Sequence, residues 1–329
     1  MISYIIIGRN EGWKLTKCLH SIFDTIEYNK LVNAEVIYID SKSTDNSIER
    51  AKTFEKVKVF RITGVCNAAI ARNIGAKEAK GNILFFIDGD MEIDKNFINH
   101  AIVNNQLKHD CVTGHLDDYL YDINGNYLGI KKRTYRNEIP DEEQLLKTNG
   151  GIFLIKKEVW DAVGGMRTKY RRSQDIDLSL RLMKNYYKII RLPQLITKHH
   201  TIEYSNENRM WQNLKQGYFI FPPMIFRDHI TTPHAWKRII RSNYTEILLL
   251  LTILNSIIFN SFVTVITFLY LLSLVIRSCK HTISAKISKS KFLYFPQKIL
   301  HHFINDVLFW VAFFFIYPKN RVIEYQLVK

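Results

Sequence analysis

Cysteine is scarce in this chain. The four present, Cys18, Cys66, Cys111 and Cys279, form no C-x-x-C pair among 329 residues. That argues against a disulfide framework or a zinc site and for a reducing compartment. Also missing are the G-x-x-x-x-G-K-[ST] phosphate loop, the G-x-G-x-x-G dinucleotide fingerprint, the H-E-x-x-H zinc helix and the G-x-S-x-G elbow. A secretory leader is not expected. The apolar run of residues 2–7 follows no basic segment and ends in Gly8-Arg9-Asn10-Glu11. It reads as a buried strand, which leaves the N-terminal part in the cytosol. Acidic residues are in the minority, 31 against 46 Lys and Arg, for a net charge of +15. Residues 229–329 hold 12 of the basic and 3 of the acidic residues, a net of +9, which leaves +6 for residues 1–228. The basic surplus thus accompanies the longest apolar runs. It points to an anionic membrane surface and not to nucleic acid, which needs cations interleaved with stacking aromatics on a soluble face.

Residues 1–110 alternate short runs rich in Ile, Val, Tyr and Phe (3–7, 35–39, 57–62, 82–87) with stretches whose apolar residues recur every three or four positions (14–23, 47–54, 69–79). This order predicts an α/β fold with a mostly parallel sheet between helices, whose ligands bind beyond the carboxyl ends of the strands. Arg9-Asn10-Glu11, Asp40 and Asp88-Gly89-Asp90 stand at those ends. Residues 111–150 are less regular. The pattern resumes with a strand at 152–155, helices at 157–163 and 175–185, and a strand at 189–192 ahead of His199-His200.

Residues 247–276 carry no charge. At ~1.5 Å per residue a single helix of this length would be ~45 Å long, well beyond a ~30 Å hydrocarbon core. Asn255-Ser256 and Asn260-Ser261 interrupt it. Arg238 and Arg241 before it, and Arg277, Lys280, Lys286, Lys289 and Lys291 after it, suit a hairpin with both ends cytosolic. A shorter apolar stretch at 299–317 reads as an interfacial helix. Phe219, Phe221, Phe226 and Trp236 read as aromatics at headgroup level. The expected organisation is an α/β domain over 1–228 and a membrane-associated helical region over 229–329.

Asp88 and Asp90 are the first candidates for chemistry. Two carboxylates one residue apart at a strand end point the same way. They can hold a hard divalent ion and leave positions for phosphate oxygens and water. A lone D-x-D is as readily a solvated turn. Asp40 and Asp45 are as readily helix caps, and His199-His200 a surface pair. Their joint order carries more weight.

That order is Ile5-Ile6-Ile7-Gly8-Arg9-Asn10-Glu11, then Ile39-Asp40-Ser41-Lys42-Ser43-Thr44-Asp45, then Ala71-Arg72-Asn73-Ile74-Gly75 and Phe85-Phe86-Ile87-Asp88-Gly89-Asp90. Gly150-Gly151, Val163-Gly164-Gly165-Met166 and Gln174-Asp175-Ile176-Asp177-Leu178 follow. With these blocks, residues 1–228 resemble the family 2 inverting glycosyltransferases of membrane-attached bacterial type. The resemblance implies the GT-A nucleotide-diphosphosugar transferase fold and a nucleotide-sugar donor, expected to be UDP-linked. Around that donor it places Asn10, Glu11, Asp40, Arg72, Asn73, Asp88 and Asp90, with Asp40 near the base and Asp88 near the ribose or metal. It puts Asp90 on Mn²⁺ or Mg²⁺, with Asp88 and either His199 or His200 as further ligands. Imidazole suits Mn²⁺ better than Mg²⁺. Asp175 matches the base that deprotonates the acceptor. Gln174 departs from the family's usual Glu, and Ser41-Lys42 from its common Asp-Gly.

The activity so implied is transfer of a sugar, with inversion, to a hydroxyl of a lipid-linked or surface-polysaccharide precursor. It would take place at the cytoplasmic face of the cell membrane, with membrane lipid as a partner. Two alternatives stand beside it. One is transfer directly onto a polyprenyl phosphate, which ionises without help and would make Asp175 dispensable. The other is an inactive membrane-anchored partner subunit.

Overall fold

The runs rich in Ile, Val and aromatic residues form strands β1 (Ile2–Gly8), β2 (Ala34–Asp40), β3 (Val57–Ile62) and β4 (Ile83–Asp88). The stretches of helical period form α1 (Trp13–Tyr28), α2 (Ser47–Lys52) and α3 (Ala68–Glu78). The computed structural model describes residues 1–132, 141–203, 206–261, 264–285 and 290–329, with the backbone alone for 206–210. Contacts divide it into two compact units, Met1–Glu203 with Lys319–Lys329, and Tyr204–Pro318.

In the first unit β1 lies between β2 and β4, and β3 pairs with β2, all parallel. Gly8 stands opposite Asp40 and Ile7 opposite Asp88, so the carboxyl ends of three strands finish level. Both faces of the sheet are covered, which is why these strands read as unbroken apolar runs. Tyr4, Ile6, Tyr38, Phe85 and Ile87 pack with Leu15, Cys18, Leu19 and Ile22 of α1. Ile5, Ile37, Ile39, Leu84 and Phe86 pack with Ile70 and Ile74 of α3.

Beyond β4 the strand Phe153–Lys156 runs antiparallel to β4 and to Cys111–Tyr121. The latter lies in the stretch expected to be irregular, and it runs parallel to Ile189–Ile202. That strand was expected to end at residue 192. Register shifts between Arg191 and Thr197 absorb Pro193, and the strand continues through His199 and His200. At the opposite edge Tyr325–Leu327 pairs antiparallel with β3. The α/β unit therefore ends at Glu203 and not at 228. Residues 319–329, expected in the helical region, return to satisfy the otherwise open edge of β3.

In the second unit the uncharged run forms two helices, Tyr244–Phe259 and Val265–Ser284. The first stops at Asn260, whose φ of 48° is left-handed, and Thr264 caps the second by accepting from the Thr267 N–H. Arg277, late in the second helix, bonds Thr245 and Glu246 at the start of the first, so the pair is an antiparallel hairpin. The 299–317 stretch is part of a longer helix, Lys291–Phe315. By length and composition Val265–Ser284 and Lys291–Phe315 can each cross a membrane. Pro233–Ser242 and Tyr244–Phe259, bent by 89° at their junction, make a third span only if taken together. Phe221 and Phe226 are buried, Phe226 against Ala235, Ile239 and Phe309, and so are not headgroup aromatics; Trp236 is exposed. Lys286 and Lys289 lie outside the described residues.

A Cβ on Gly75 would collide with Ile5 Cγ2, which marks how closely α3 rides on β1. Gly75→Ala should force the two apart at a cost of about 1–3 kcal/mol. Urea or thermal unfolding should show the lowered midpoint.

Candidate functional site

The level strand ends bring Asp88 and Asp90 to the carboxyl edge of the sheet, and the long strand Ile189–Ile202 brings His199 beside them. His199 Nε2 lies 3.3 Å from Asp90 Oδ2, and its Nδ1 lies 2.7 Å from Asp118 Oδ1. Asp118 sits directly opposite His199 in the parallel pairing. A carboxylate on one ring nitrogen fixes the tautomer and aims the other nitrogen, the arrangement found behind metal-binding histidines. Lys14 bonds Glu11 at 2.7 Å and reaches to 4.0 Å of Asp90. Burial works to raise the Asp90 carboxyl, but His199 and Lys14 outweigh it and hold the group below its usual range. Burial and the charge of Asp90 push Glu11 upward against Lys14.

Asp90 Oδ1 is buried and has no hydrogen-bond partner. An orphaned carboxylate oxygen next to an oriented imidazole fits a divalent cation. Among the described residues no three His, Cys, Asp or Glu side chains are gathered to enclose one. Two protein ligands, with the remaining positions left to substrate oxygens and water, match the way such ions attach to phosphates.

His200 lies elsewhere. Successive side chains alternate along a strand, and its ring turns to Tyr121 OH at 2.9 Å and Glu92 Oε2 at 3.2 Å. Of the two histidines left open by the sequence, His199 is the one beside Asp90, and His200 is buried and bonded away from it.

Asp88 is held from the other side. Arg72, itself 5% exposed, donates from Nη2 to Asp88 Oδ1 at 2.6 Å and to the Gly151 carbonyl at 3.0 Å. Desolvation pushes the Asp88 carboxyl up, Arg72 opposes and Asp90 adds to the rise. Gly151 leaves room for the Asp88 carboxylate: a Cβ there would come within 2.8 Å of Asp88 Oδ2 and displace it. Asn73, expected at a ligand, spends its amide on the backbone of Met166, donating to its carbonyl at 2.7 Å and accepting from its N–H at 2.9 Å. It pins the turn in which Gly165 takes a φ of 62°.

Asp175 stands in the first turn of the helix Gln174–Lys184. Ser179 of that helix donates to the Asp175 carbonyl at 2.6 Å and accepts from the Asn149 N–H at 3.2 Å, which ties the helix start to the chain leading into Gly151. The Asp175 carboxylate is half-buried and makes no hydrogen bond or ion pair among the described residues. Asp177, two residues on, is fully buried and bound by Arg181 and Arg167.

One strand further along, buried Asp40 accepts from the Ser43 N–H at 3.0 Å and from Tyr38 OH at 3.2 Å, with Arg61 3.7 Å away. Asn10, at a left-handed φ of 58°, accepts from the Thr44 N–H at 2.8 Å, while its own N–H donates to Ser43 Oγ. Its side-chain oxygen shapes the loop after β2. The sequence pattern missed Lys14 and Asp118. Asp118 was visible only as half of Asp117-Asp118, and its pairing with His199 depends on strand register across 81 residues.

Residues 3–178 match the family described as glycosyl transferase family 2. The sequence is 32% identical over 185 residues to glycosyltransferase GlyG of Streptococcus pneumoniae, covering 50% of this chain and 59% of that protein. It is 24% identical over 217 residues to dolichyl N-acetyl-alpha-D-glucosaminyl phosphate 3-beta-D-2,3-diacetamido-2,3-dideoxy-beta-D-glucuronosyltransferase of Methanococcus voltae, covering 61% of this chain and 67% of that one. The chain thus spans about three fifths of the length of GlyG. Residues 1–349 of TarS from S. aureus, solved with UDP-GlcNAc, superpose with a TM-score of 0.51 at 15% identity, covering 70% of this chain and 67% of that one. The first unit accordingly has the GT-A fold.

The Arg72–Asp88 pair makes a prediction that depends on pH. Arg72→Met should cost about 1–3 kcal/mol at neutral pH, where the Asp88 carboxylate loses its charged donor. Asp88 is already raised, so wild-type stability falls as pH climbs through its folded pKa, and the variant should fall further. Below the ordinary carboxylate range both proteins carry a neutral Asp88 and the gap should narrow. Unfolding midpoints measured across pH for both proteins check this.

Proposed function

The chain belongs to glycosyl transferase family 2, and we propose that it moves a sugar, with inversion, from a UDP-linked donor to a hydroxyl of a lipid-linked or surface-polysaccharide precursor. The observation that carries this reading is the corner made by Asp88, Asp90 and His199 at the end of the sheet, with the uncommitted carboxylate of Asp175 on an adjoining helix. Asp90 and His199 would hold Mn²⁺ or Mg²⁺, with Asp88 steadied by Arg72 beside them. A divalent ion bound there neutralises charge on the departing diphosphate.

The rest is carried by the chain itself. Asp175 accepts the proton of the acceptor hydroxyl as its oxygen attacks the anomeric carbon in line, and the bond to the diphosphate breaks on the opposite face. A polyprenyl phosphate acceptor would need no such base, so an unpaired Asp175 favours the hydroxyl. The Methanococcus voltae relative is named for action on a dolichyl phosphate-linked sugar. That likeness, with two helices apolar enough to cross a membrane, supports a lipid-linked acceptor and attachment at the cytoplasmic face of the membrane. Anchoring enzyme and acceptor to one surface raises their effective concentration.

Transfer from a panel of nucleotide sugars by the full chain, with and without Mn²⁺, tests the reading. Asp90→Asn should lower turnover ~10²-fold or more, the scale of losing one key electrostatic contact. Full activity of that variant, or of the wild type in EDTA, would sink the metal assignment. Asp175→Asn should cut turnover by ~10²–10⁴-fold while donor affinity stays nearly unchanged. A collapse of donor binding would instead make Asp175 a donor-site residue.

A further inference from the structure

Beside Asp40 the first unit contains an open cleft of about 680 Å³ whose wall is shared by segments far apart in sequence. Arg9 comes from the loop after β1, Lys42 from the loop after β2, Gly64 and Cys66 from the loop after β3, and Arg321 and Glu324 from the segment that leads into the edge strand Tyr325–Leu327. The last of these is firmly built. The Thr63 N–H donates to the Glu324 carbonyl at 2.9 Å. The Arg321 N–H donates to Thr168 Oγ1 at 2.7 Å, and Thr168 Oγ1 donates to the Arg321 carbonyl at 2.9 Å. Tyr325 OH donates to Glu78 Oε1 at 2.5 Å. A Cβ on Gly64 would lie 2.9 Å from Glu324 Oε2, so the two segments are in close contact.

The cleft is cationic on balance. Arg9, Lys42 and Arg321 line it against the single carboxylate of Glu324, and none of the three forms an ion pair with a carboxylate among the described residues. Three unpaired like charges around one hollow repel one another unless a group rich in acceptors occupies it. Position narrows that group. Neighbouring strands lie ~4.8 Å apart, and β4, β1, β2 and β3 stand in that order, so the β3 end is roughly 14 Å from Asp88. A nucleoside with two phosphates reaches that far: its diphosphate at Asp90 would leave its base at the cleft.

On the reading of the chain as a nucleotide-sugar transferase, we propose that the returning segment at 320–324 forms the outer wall of the base end of the donor site, and that Arg321 is a donor-binding residue that selects the base. Cationic N–H donors suit a base edge that presents carbonyl oxygens, as the O4 edge of uracil does. They suit poorly an edge that presents an amino donor, as cytosine and adenine do. Arg321 together with Arg9 and Lys42 therefore favours UDP over CDP and ADP.

The test is titration calorimetry of the full-length protein in detergent with Mn²⁺, using UDP, CDP, ADP and inorganic pyrophosphate. Arg321→Ala should weaken UDP roughly tenfold, the scale of one charged hydrogen bond, and leave pyrophosphate unchanged. The preference for UDP over CDP should shrink accordingly, and Arg321→Lys should restore part of it. Donor KM should rise with kcat unaltered. Arg9→Ala, on a separate loop, should give the same pattern and guards against a folding defect in the first variant. Unchanged UDP affinity in Arg321→Ala would overturn the proposal, as would an equal loss for pyrophosphate. A wild-type protein that binds none of the nucleotides would overturn the donor reading itself.

Discussion

Parallel register is the constraint on which the site rests. Because Gly8, Asp40 and the end of β4 finish level, the loops after β1 and β2 can bond each other through Asn10, Ser43 and Ser47. The carboxylates of Asp40 and Asp88 then lie along one edge. A slip of one residue in β4 would send Asp88 and Asp90 to the opposite face. The apolar alternation on both faces of β1 and β4 makes that slip costly, so the buried core holds the polar edge in place. Arg72 and Gly151 then set how Asp88 is presented, one by a charged bond and the other by having no side chain.

The sequence made part of this legible and hid the rest for identifiable reasons. Asp88-Gly89-Asp90, Asp40 and Asp175 stand out because each follows or opens an element whose period is local. His199 could be named as a candidate but not separated from His200, since which of two adjacent residues faces a given side is settled by the pairing of the whole strand. Asp118 and Lys14 carry no pattern of their own; each matters only through a partner distant in sequence. Arg72 and Asn73, read together as ligand residues, turn out to clamp Asp88 and the Met166 turn. The strand Cys111–Tyr121 escaped notice because charged and polar residues interrupt it, though it runs through the middle of one half of the sheet.

The helical unit shows the same limit of local reading. Local reading finds the uncharged run 247–276, meets Asp306 inside the stretch 299–317, and so takes the last helix for a short interfacial one. Asp306 is fully buried, however, and is bonded by Thr245, Tyr270 and Arg277 from the two preceding helices. An ionisable residue that faces the interior of a helical bundle does not end an apolar helix; it marks the inward face. The outward faces carry Ile257, Ile258, Phe259, Val265 and Phe268, all exposed, and two of the helices are long and apolar enough to cross a membrane.

The strand Tyr325–Leu327 also has a consequence in time. It belongs to the sheet, yet the chain emerges from the ribosome in order, and all of Tyr204–Pro318 must be made before it appears. During that interval β3 presents an unsatisfied row of backbone donors and acceptors, the kind of edge that recruits strands from other chains. Nascent molecules are thus most vulnerable to mispairing while their helices are being synthesised. A chain that stalled there would carry Asp88 and Asp175 but lack the strand that closes the edge of β3.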